Sequence, residues 1–242
     1  MPGMAGFDEV RVNDLRRVQR LWARWAGIYD LRVRLFLRWR STALDTLRLR
    51  PGDTVLDLAC GTGLNFALMT ERIDPTGRIV GVDLTRAMLR RAQTKLVSRG
   101  WRHVALLEGD AANLPLASDS CDAVFCSYGM VIIPAYRGAL LEAVRVLKPG
   151  GRLALLEPQR GSSLWARAAT PLVAFAGRFG GVDLDRRPWR ELPYLLEDVS
   201  RREYAGGIIC VSAGTKRRSP ARDSASVQPP DGPLRPPSGA AA

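Results

Sequence analysis

The chain has 242 residues, 46% of them hydrophobic, with 36 Lys and Arg against 24 Asp and Glu and a formal net charge of +12. That length supports one sizeable core with appendages. Four cysteines without a CxxC pair exclude a disulfide scaffold and point to reduced, mostly buried thiols, and a single histidine, His103, excludes a multi-histidine metal site.

The charge is unevenly spread. Residues 1–50 hold eleven basic and five acidic side chains, residues 51–214 hold 20 and 17, and residues 215–242 hold five and two. Of the basic residues only Lys95, Lys148 and Lys216 are lysine, a bias that a GC-rich coding sequence produces. A near-neutral middle offers no continuous basic track of the kind that releases counterions along a nucleic-acid backbone. The longest charge-free run, Ala123 to Tyr136, contains Gly129 and Pro134 and is shorter than the roughly 20 residues of a spanning helix. No signal peptide is recognisable at the start, so the expected location is the cytoplasm.

In chain order, residues 10–48 read as two helices. Leu15, Val18, Leu21, Trp22, Trp25 and Ile28 recur at helical spacing, then Leu31, Leu35, Phe36 and Trp39, with the junction at Gly27 to Asp30. From Pro51 short apolar runs alternate with amphipathic ones, the signature of βαβ units and a parallel sheet. Strands are predicted at Thr54 to Leu58, Arg78 to Val82, His103 to Glu108, Ala123 to Ser127 and Arg152 to Glu157. Helices fall at Leu64 to Arg72, Arg86 to Ser98 and Tyr136 to Leu147, the last ended by LysProGlyGly at 148–151. Ser163 to Arg178 reads as a helix interrupted by Pro171, and Pro188 to Leu196 as a shorter one. Val199 to Tyr204 and Ile208 to Ala213 flank Ala205-Gly206-Gly207 as a hairpin at one edge of the sheet. Residues 1–50 are thus a helical cap and 51–214 the main domain. Residues 215–242, rich in Pro, Ser, Gly and Ala, are expected to be a disordered tail.

The strongest signal is ValLeuAspLeuAlaCysGlyThrGly at 55–63, a strand ending in an acid and a small-residue turn that opens a helix. Gly61 and Gly63 let backbone approach a ligand closely. A dinucleotide fingerprint would want Gly or Ala at 66, where Phe66 stands, and no GlyLysSer or GlyLysThr marks a triphosphate loop. Asp83 ends the next strand, where a carboxylate can accept from a ribose diol, and Asp110 follows the third, where it can accept from an adenine amine. Acids at three strand ends disfavour phosphate and suit a sulfonium with an amino-acid tail.

These strings, with TrpAlaGlyIleTyrAsp (25–30), GlyValAspLeuThr (81–85), GlyAspAlaAlaAsnLeuPro (109–115) and ArgValLeuLysProGlyGlyArgLeu (145–153), resemble class I S-adenosylmethionine (SAM)-dependent methyltransferases. The group is the UbiE-like one (methyltransferase type 11), which includes quinone C-methyltransferases and phospholipid N-methyltransferases. The resemblance covers residues 20–214. It implies a Rossmann-like α/β fold: a seven-stranded, mostly parallel sheet with helices on both faces and an antiparallel last strand. SAM is the implied cofactor. Asp57 and the turn of Ala59, Cys60, Gly61, Thr62 and Gly63 would hold its methionine end, and Asp83 with Leu84 the ribose. Met88 would pack near the adenosine, Asp110 and Ala111 would read the adenine, Ser127 would lie under the methionine portion, and Tyr29 would close over the cofactor. Ala59 departs from the glycine that many relatives carry.

Methyl transfer from a sulfonium needs chiefly alignment and exclusion of water, so a catalytic base is optional. Candidate bases are few. Glu157 could orient a substrate or act as a structural acceptor, Tyr128 and Met130 could line the acceptor pocket, and His103 reads as structural. Arg186, Arg187 and Trp189 could approach an anionic headgroup or form a solvated charge pair beside a buried ring. Trp22, Trp25, Phe36 and Trp39, with Trp165, Leu172, Phe175 and Phe179, favour a lipophilic acceptor, quinone-like ahead of a phospholipid amine. The arginine-rich helices could also rest on anionic lipid, or pack on the core with their arginines solvated. A non-catalytic adenosine-cofactor module or a nucleic-acid-associated protein are the readings from another class; no metal is expected.

Overall fold

The computed structural model describes residues 4–25, 37–168, 170–171 and 181–218, with backbone alone at 4–13, 25 and 37. Its strands are β1 (Thr54–Leu58), β2 (Arg78–Asp83), β3 (Val104–Glu108), β4 (Cys121–Ser127), β5 (Leu147–Pro158), β6 (Glu197–Tyr204) and β7 (Ile209–Thr215). They form one sheet in the order β3-β2-β1-β4-β5-β7-β6. β1 to β5 run parallel, and β7 is antiparallel to both of its neighbours. The sheet expected from sequence is present, with β7 inserted between β5 and the edge strand β6.

The helices are α1 (Met4–Trp25), α2 (Leu37–Asp45), α3 (Phe66–Ile73), α4 (Arg86–Arg99) and α5 (Tyr136–Val146). β1 and β4 are apolar almost throughout because both of their faces are covered. On one face α2, α3 and α4 bury Leu44, Phe66, Met69 and Ala92; on the other α5 buries Ala139, Leu140 and Ala143. Phe66 explains the missing third glycine of the loop. A Cβ built on Gly63 would stand 2.4 Å from the Phe66 ring and one on Gly81 2.8 Å from it, so two glycines make room for this fully buried side chain.

Two differences from the sequence reading bear on the fold. α5 ends at Val146 and β5 begins at Leu147, so LysProGlyGly lies inside the strand and does not precede it. Cys121 pairs with Leu147 but Ala123 with Arg152, which leaves 148–151 as a bulge. Gly150, at φ +82°, takes the left-handed turn there, and its N–H donates to the Lys216 carbonyl at 2.9 Å. The second difference is the proposed boundary at 214. Thr215 is the last residue of β7, and Lys216 Nζ donates to Asp119 Oδ1 at 2.7 Å and to the Leu147 carbonyl at 2.6 Å. The folded body therefore continues past 214. Of the expected tail, 219–242 lie outside the described residues, as do the junction at 27–30 and positions 172–180. The helix predicted from Ser163 is seen at 164–168 and 170–171, and Pro188 to Leu196 divides into the turns Pro188–Arg190 and Leu192–Leu195.

Strand order reverses between β1 and β4: β2 and β3 lie to one side of β1, β4 and β5 to the other. Connections leave these two strand ends in opposite directions, and the crevice that results is where open α/β sheets bind ligands. The four cysteines are free and buried. Among the described residues no helix is long and apolar enough to cross a membrane.

Candidate active site

The turn leaving β1 folds back over the strand ends through left-handed backbone at Ala59 (φ +56°), Gly61 (φ +56°) and Gly63 (φ +74°). It is held from two sides. The Gly61 N–H donates to Asp83 Oδ2 at 2.8 Å, and Lys95 Nζ donates to the Thr62 carbonyl at 2.9 Å and to its hydroxyl at 3.2 Å. Asp83 Oδ1 also accepts the Thr85 N–H at 2.8 Å, and the Thr85 hydroxyl bonds the same carboxylate, which keeps lone-pair capacity beyond these donors. Burial raises the Asp83 carboxyl above its ordinary range, opposed by those N–H donors.

A cleft of about 710 Å³, open mouth included, lies over this turn. Ala59 and Gly61 form its floor; Asp83, Leu84, Thr85 and Met88 one wall; Asp110 and Ala111 the end; Ser127 to Gly129 and Ile132 to Pro134 the opposite wall. A Cβ built on Gly61 would meet no atom within 4 Å, so the floor is open toward the space above. Leu15, Val18 and Trp22, at i, i+3 and i+7 on α1, roof the cleft, and Gln19 Nε2 on the same face donates to the Leu84 carbonyl at 2.8 Å. Arg16, Arg17, Arg20 and Arg24 are exposed on the rest of that helix.

Beneath the floor lies a buried polar network. Arg40, 3% exposed, donates through Nη1 to Asn65 Oδ1 at 2.7 Å and to Ser127 Oγ at 2.6 Å, and its guanidinium lies 5.0 Å from the centre of the Tyr128 ring. Asn65 Nδ2 donates to Asp57 Oδ1 at 2.8 Å and to Ser127 Oγ at 3.1 Å. Burial pushes the Asp57 carboxyl up to about 7 despite the Asn65 bond and the Arg40 charge. Asp57 Oδ2 has no hydrogen-bond partner among the described residues.

Of the residues singled out in the sequence, Ala59, Gly61, Asp83, Leu84, Met88, Asp110, Ala111, Ser127 and Tyr128 line the one cleft. Asp57, Cys60, Thr62 and Gly63 are not among its lining; they shape the turn from behind, and burial holds the Cys60 thiol well above its ordinary range. Glu157 is also behind the wall. Its Oε1 accepts the Met130 N–H at 2.8 Å, and burial pushes its carboxyl up to about 8. It serves as the structural acceptor, bracing the loop that carries Ile132 and Ile133, and Met130 itself is core. Arg186 clamps the same loop by donating to the Met130 and Ile133 carbonyls while paired with Asp183, and Trp189 lies under Arg201, 3.9 Å from ring centre to guanidinium. His103 sits at the opposite end of the sheet, within 3.1 Å of the Thr70 hydroxyl. Trp39 packs on Tyr204, with ring centres 4.8 Å apart, and Trp165 is 59% exposed. Tyr29, Phe36, Leu172, Phe175 and Phe179 lie outside the described residues, as does the side chain of Trp25.

No motif marks Arg40, Asn65, Lys95 or Gln19. The available signal for Arg40 is positional: it shares the buried face of α2 and the turn after it with Ala43, Leu44 and Leu47, at i, i+3, i+4 and i+7. A charge on such a face needs partners.

The family model of the ubiE/COQ5 methyltransferase family matches residues 12–175. A ubiquinone/menaquinone biosynthesis C-methyltransferase UbiE from Syntrophotalea carbinolica is 33% identical over 228 residues, 81% of this chain and 92% of the relative. A demethylmenaquinone methyltransferase from Anoxybacillus flavithermus is 32% identical over 226 residues, 83% and 95% of the two chains. Among solved structures, a SAM-dependent methyltransferase from Aquifex aeolicus shares the fold with a TM-score of 0.55 at 19% identity, covering 73% of this chain and 89% of its own. One from Thermotoga maritima does so with a TM-score of 0.62 at 23% identity, covering 82% and 100%. Sheet order, strand-end acids and sequence relatives agree, and the chain belongs to the ubiE/COQ5 methyltransferase family.

Proposed function

We propose that this methyltransferase binds SAM in the cleft and passes its methyl group to a lipophilic, quinone-like acceptor. The observation that carries the cofactor reading is Asp83, held by the Gly61 and Thr85 amides at the cleft wall with lone-pair capacity left for a ribose hydroxyl. Asp110 and Ala111 stand at the end of the cleft where an adenine would lie, Met88 flanks it, and the open face of Gly61 with Asp57 below suits the methionine end. Cys60, Thr62 and Gly63 keep the turn in shape.

When bound, SAM supplies a methyl group already activated by its sulfonium. What the chain contributes is position and dryness. Leu15, Val18 and Trp22 from the roof, with Ile132, Ile133 and Pro134 from the wall, exclude water and offer an apolar surface to the acceptor. Tyr128 lies between that surface and the floor. The relatives' names, which refer to ubiquinone, menaquinone and demethylmenaquinone, support a quinone-type acceptor and transfer to carbon. The exposed arginines of α1 and the exposed Leu164 and Trp165 (86% and 59%) would suit a chain that meets such an acceptor at an anionic membrane surface while remaining peripheral.

The test is incubation of the purified chain with methyl-labelled SAM and a short-chain demethylated naphthoquinol, followed by mass identification of the product. A ring-methylated product is expected. Label found instead in phosphatidylethanolamine vesicles, with none in the quinol, would overturn the acceptor.

A further inference from the structure

We propose that Arg40 is a positioning residue that forces the Ser127 hydroxyl to donate its hydrogen into the cleft, toward the carboxylate of the cofactor's amino-acid end. The proposal rests on the assignment of SAM to this cleft. It adds a residue that no motif marks and a direction for one hydrogen bond.

The inference follows from counting hydrogens. Arginine can only donate, so the Asn65 atom that meets Arg40 Nη1 at 2.7 Å is the carbonyl oxygen, and the amide NH₂ must face the other way. Its two hydrogens then go to Asp57 Oδ1 and Ser127 Oγ. The two hydrogens on Arg40 Nη1 go to Asn65 Oδ1 and Ser127 Oγ. Ser127 Oγ thus accepts twice, which fills both of its lone pairs and leaves its own O–H to point away from the network. Ser127 lines the cleft, so the cleft is where that remaining O–H can find an acceptor.

A serine that can only donate selects its ligand. It welcomes a carboxylate or carbonyl oxygen and offers nothing to an ammonium. Asp57, behind the turn and outside the cleft lining, carries an oxygen, Oδ2, with no partner among the described residues. A fixed donor at the cleft end of β4, with a buried acid behind it on the adjacent strand β1, favours the carboxylate side of an α-amino-acid head over its ammonium at Ser127. Arg40 sets this polarity, because without it Asn65 is free to flip and Ser127 regains a lone pair. A guanidinium buried with neutral partners is costly to keep, and its positive charge beneath the site is the other half of what a bound carboxylate would gain.

The experiment compares two ligands by calorimetry: S-adenosylhomocysteine, which carries the amino-acid head, and 5′-methylthioadenosine, which lacks it. The unaltered chain should bind both. Arg40→Met should weaken S-adenosylhomocysteine by about ten-fold or more, the loss of a charge-assisted bond, and leave methylthioadenosine unchanged. Arg40→Lys, which keeps a charged donor, should recover part of the loss. Ser127→Ala removes the donor, although it also takes one acceptor from Arg40 and one from Asn65; it should show the same head-selective loss and, with its own fold checked by thermal melt, carries the test if Arg40→Met proves unfolded. Equal weakening of both ligands, or of neither, would overturn the proposal and leave Arg40 a packing residue. If the unaltered chain binds neither ligand, the cofactor assignment fails, an outcome separate from loss of the head alone.

Discussion

The floor and the roof of the cleft are built by opposite means. The floor is polar and locked: Asp83 grips two backbone amides, Lys95 grips the turn from behind, and Asn65 sits between Arg40, Asp57 and Ser127. The roof is apolar, three side chains spaced along one face of α1 and tied down by the Gln19 amide on the Leu84 carbonyl. Hydrogen bonds are directional, so the floor can demand a particular ligand; apolar contact is not, so the roof accepts a range of shapes at similar cost. On the proposed reading, one invariant cofactor and a lipophilic acceptor call for both kinds of surface.

The largest effect should come from breaking the floor. Asp83→Ala removes the proposed ribose acceptor and frees the Gly61 and Thr85 amides together. Cofactor affinity by calorimetry should fall by about 100-fold or more, two charge-assisted bonds' worth, while the melting temperature shifts far less. An unchanged affinity would remove Asp83 from the site. On the roof, Trp22→Ala should act on the other substrate. It strips apolar area from the cleft, and the acceptor KM should rise by about ten-fold with cofactor affinity little altered. Equal losses for the two ligands would mean that floor and roof are one surface and the comparison is wrong.

Glu157 belongs to neither region: it lies behind the wall and braces the wall loop through the Met130 amide. Its carboxyl, like that of Asp57, is raised by burial, to about 8 and about 7 respectively. Between the ordinary carboxylate range and those values the folded chain holds protons that the unfolded chain has released. The stability these two carboxyls contribute is therefore fully present at low pH and is lost as pH rises through about 4 to 8. Glu157→Gln keeps an oxygen for the Met130 amide and cannot ionise. Its unfolding free energy should fall less steeply between pH 5 and 8 than that of the parent, by about 1 kcal/mol or more over the interval. Parallel curves from denaturant titrations would show that Glu157 is already ionised in the folded state.

The same division explains what could be read from sequence. The floor's lining lies in short local strings, because a strand end followed by a tight turn needs small residues and acids at fixed spacing. Asp83, Asp110 and Ser127 were therefore visible. Arg40 acts across 87 positions of sequence on Ser127 and 25 on Asn65, and no local pattern encodes a partner that distant. The roof was half legible. Helical spacing puts Leu15, Val18 and Trp22 on one face, but that the face covers this cleft, while Trp39 packs against Tyr204 at the sheet edge, is decided by tertiary packing. The bulge at 148–151 was misread for a related reason: Pro and Gly stop a helix and also permit a bulge, and the register of β4 against β5 chooses between them.

The smallest effect should fall on the one floor residue that departs from the usual glycine. Ala59 stands at φ +56°, where a Cβ crowds its own backbone at about 1–3 kcal/mol. Glycine would remove that strain, yet it also widens the unfolded ensemble by about 0.4–1 kcal/mol. Strain relief is the larger of the two, so Ala59→Gly should raise the unfolding free energy by about 1 kcal/mol. The Ala59 Cβ would also lie only 3.0 Å from one built on Gly129, so this methyl group packs against the wall opposite the turn. If it helps hold the floor in register with that wall, Ala59→Gly will loosen cofactor binding even as it relieves strain, and calorimetry beside a denaturation curve separates the two. A drop in both stability and affinity would mean that the methyl contact outweighs the backbone cost, and that the locked floor depends on packing as well as on hydrogen bonds.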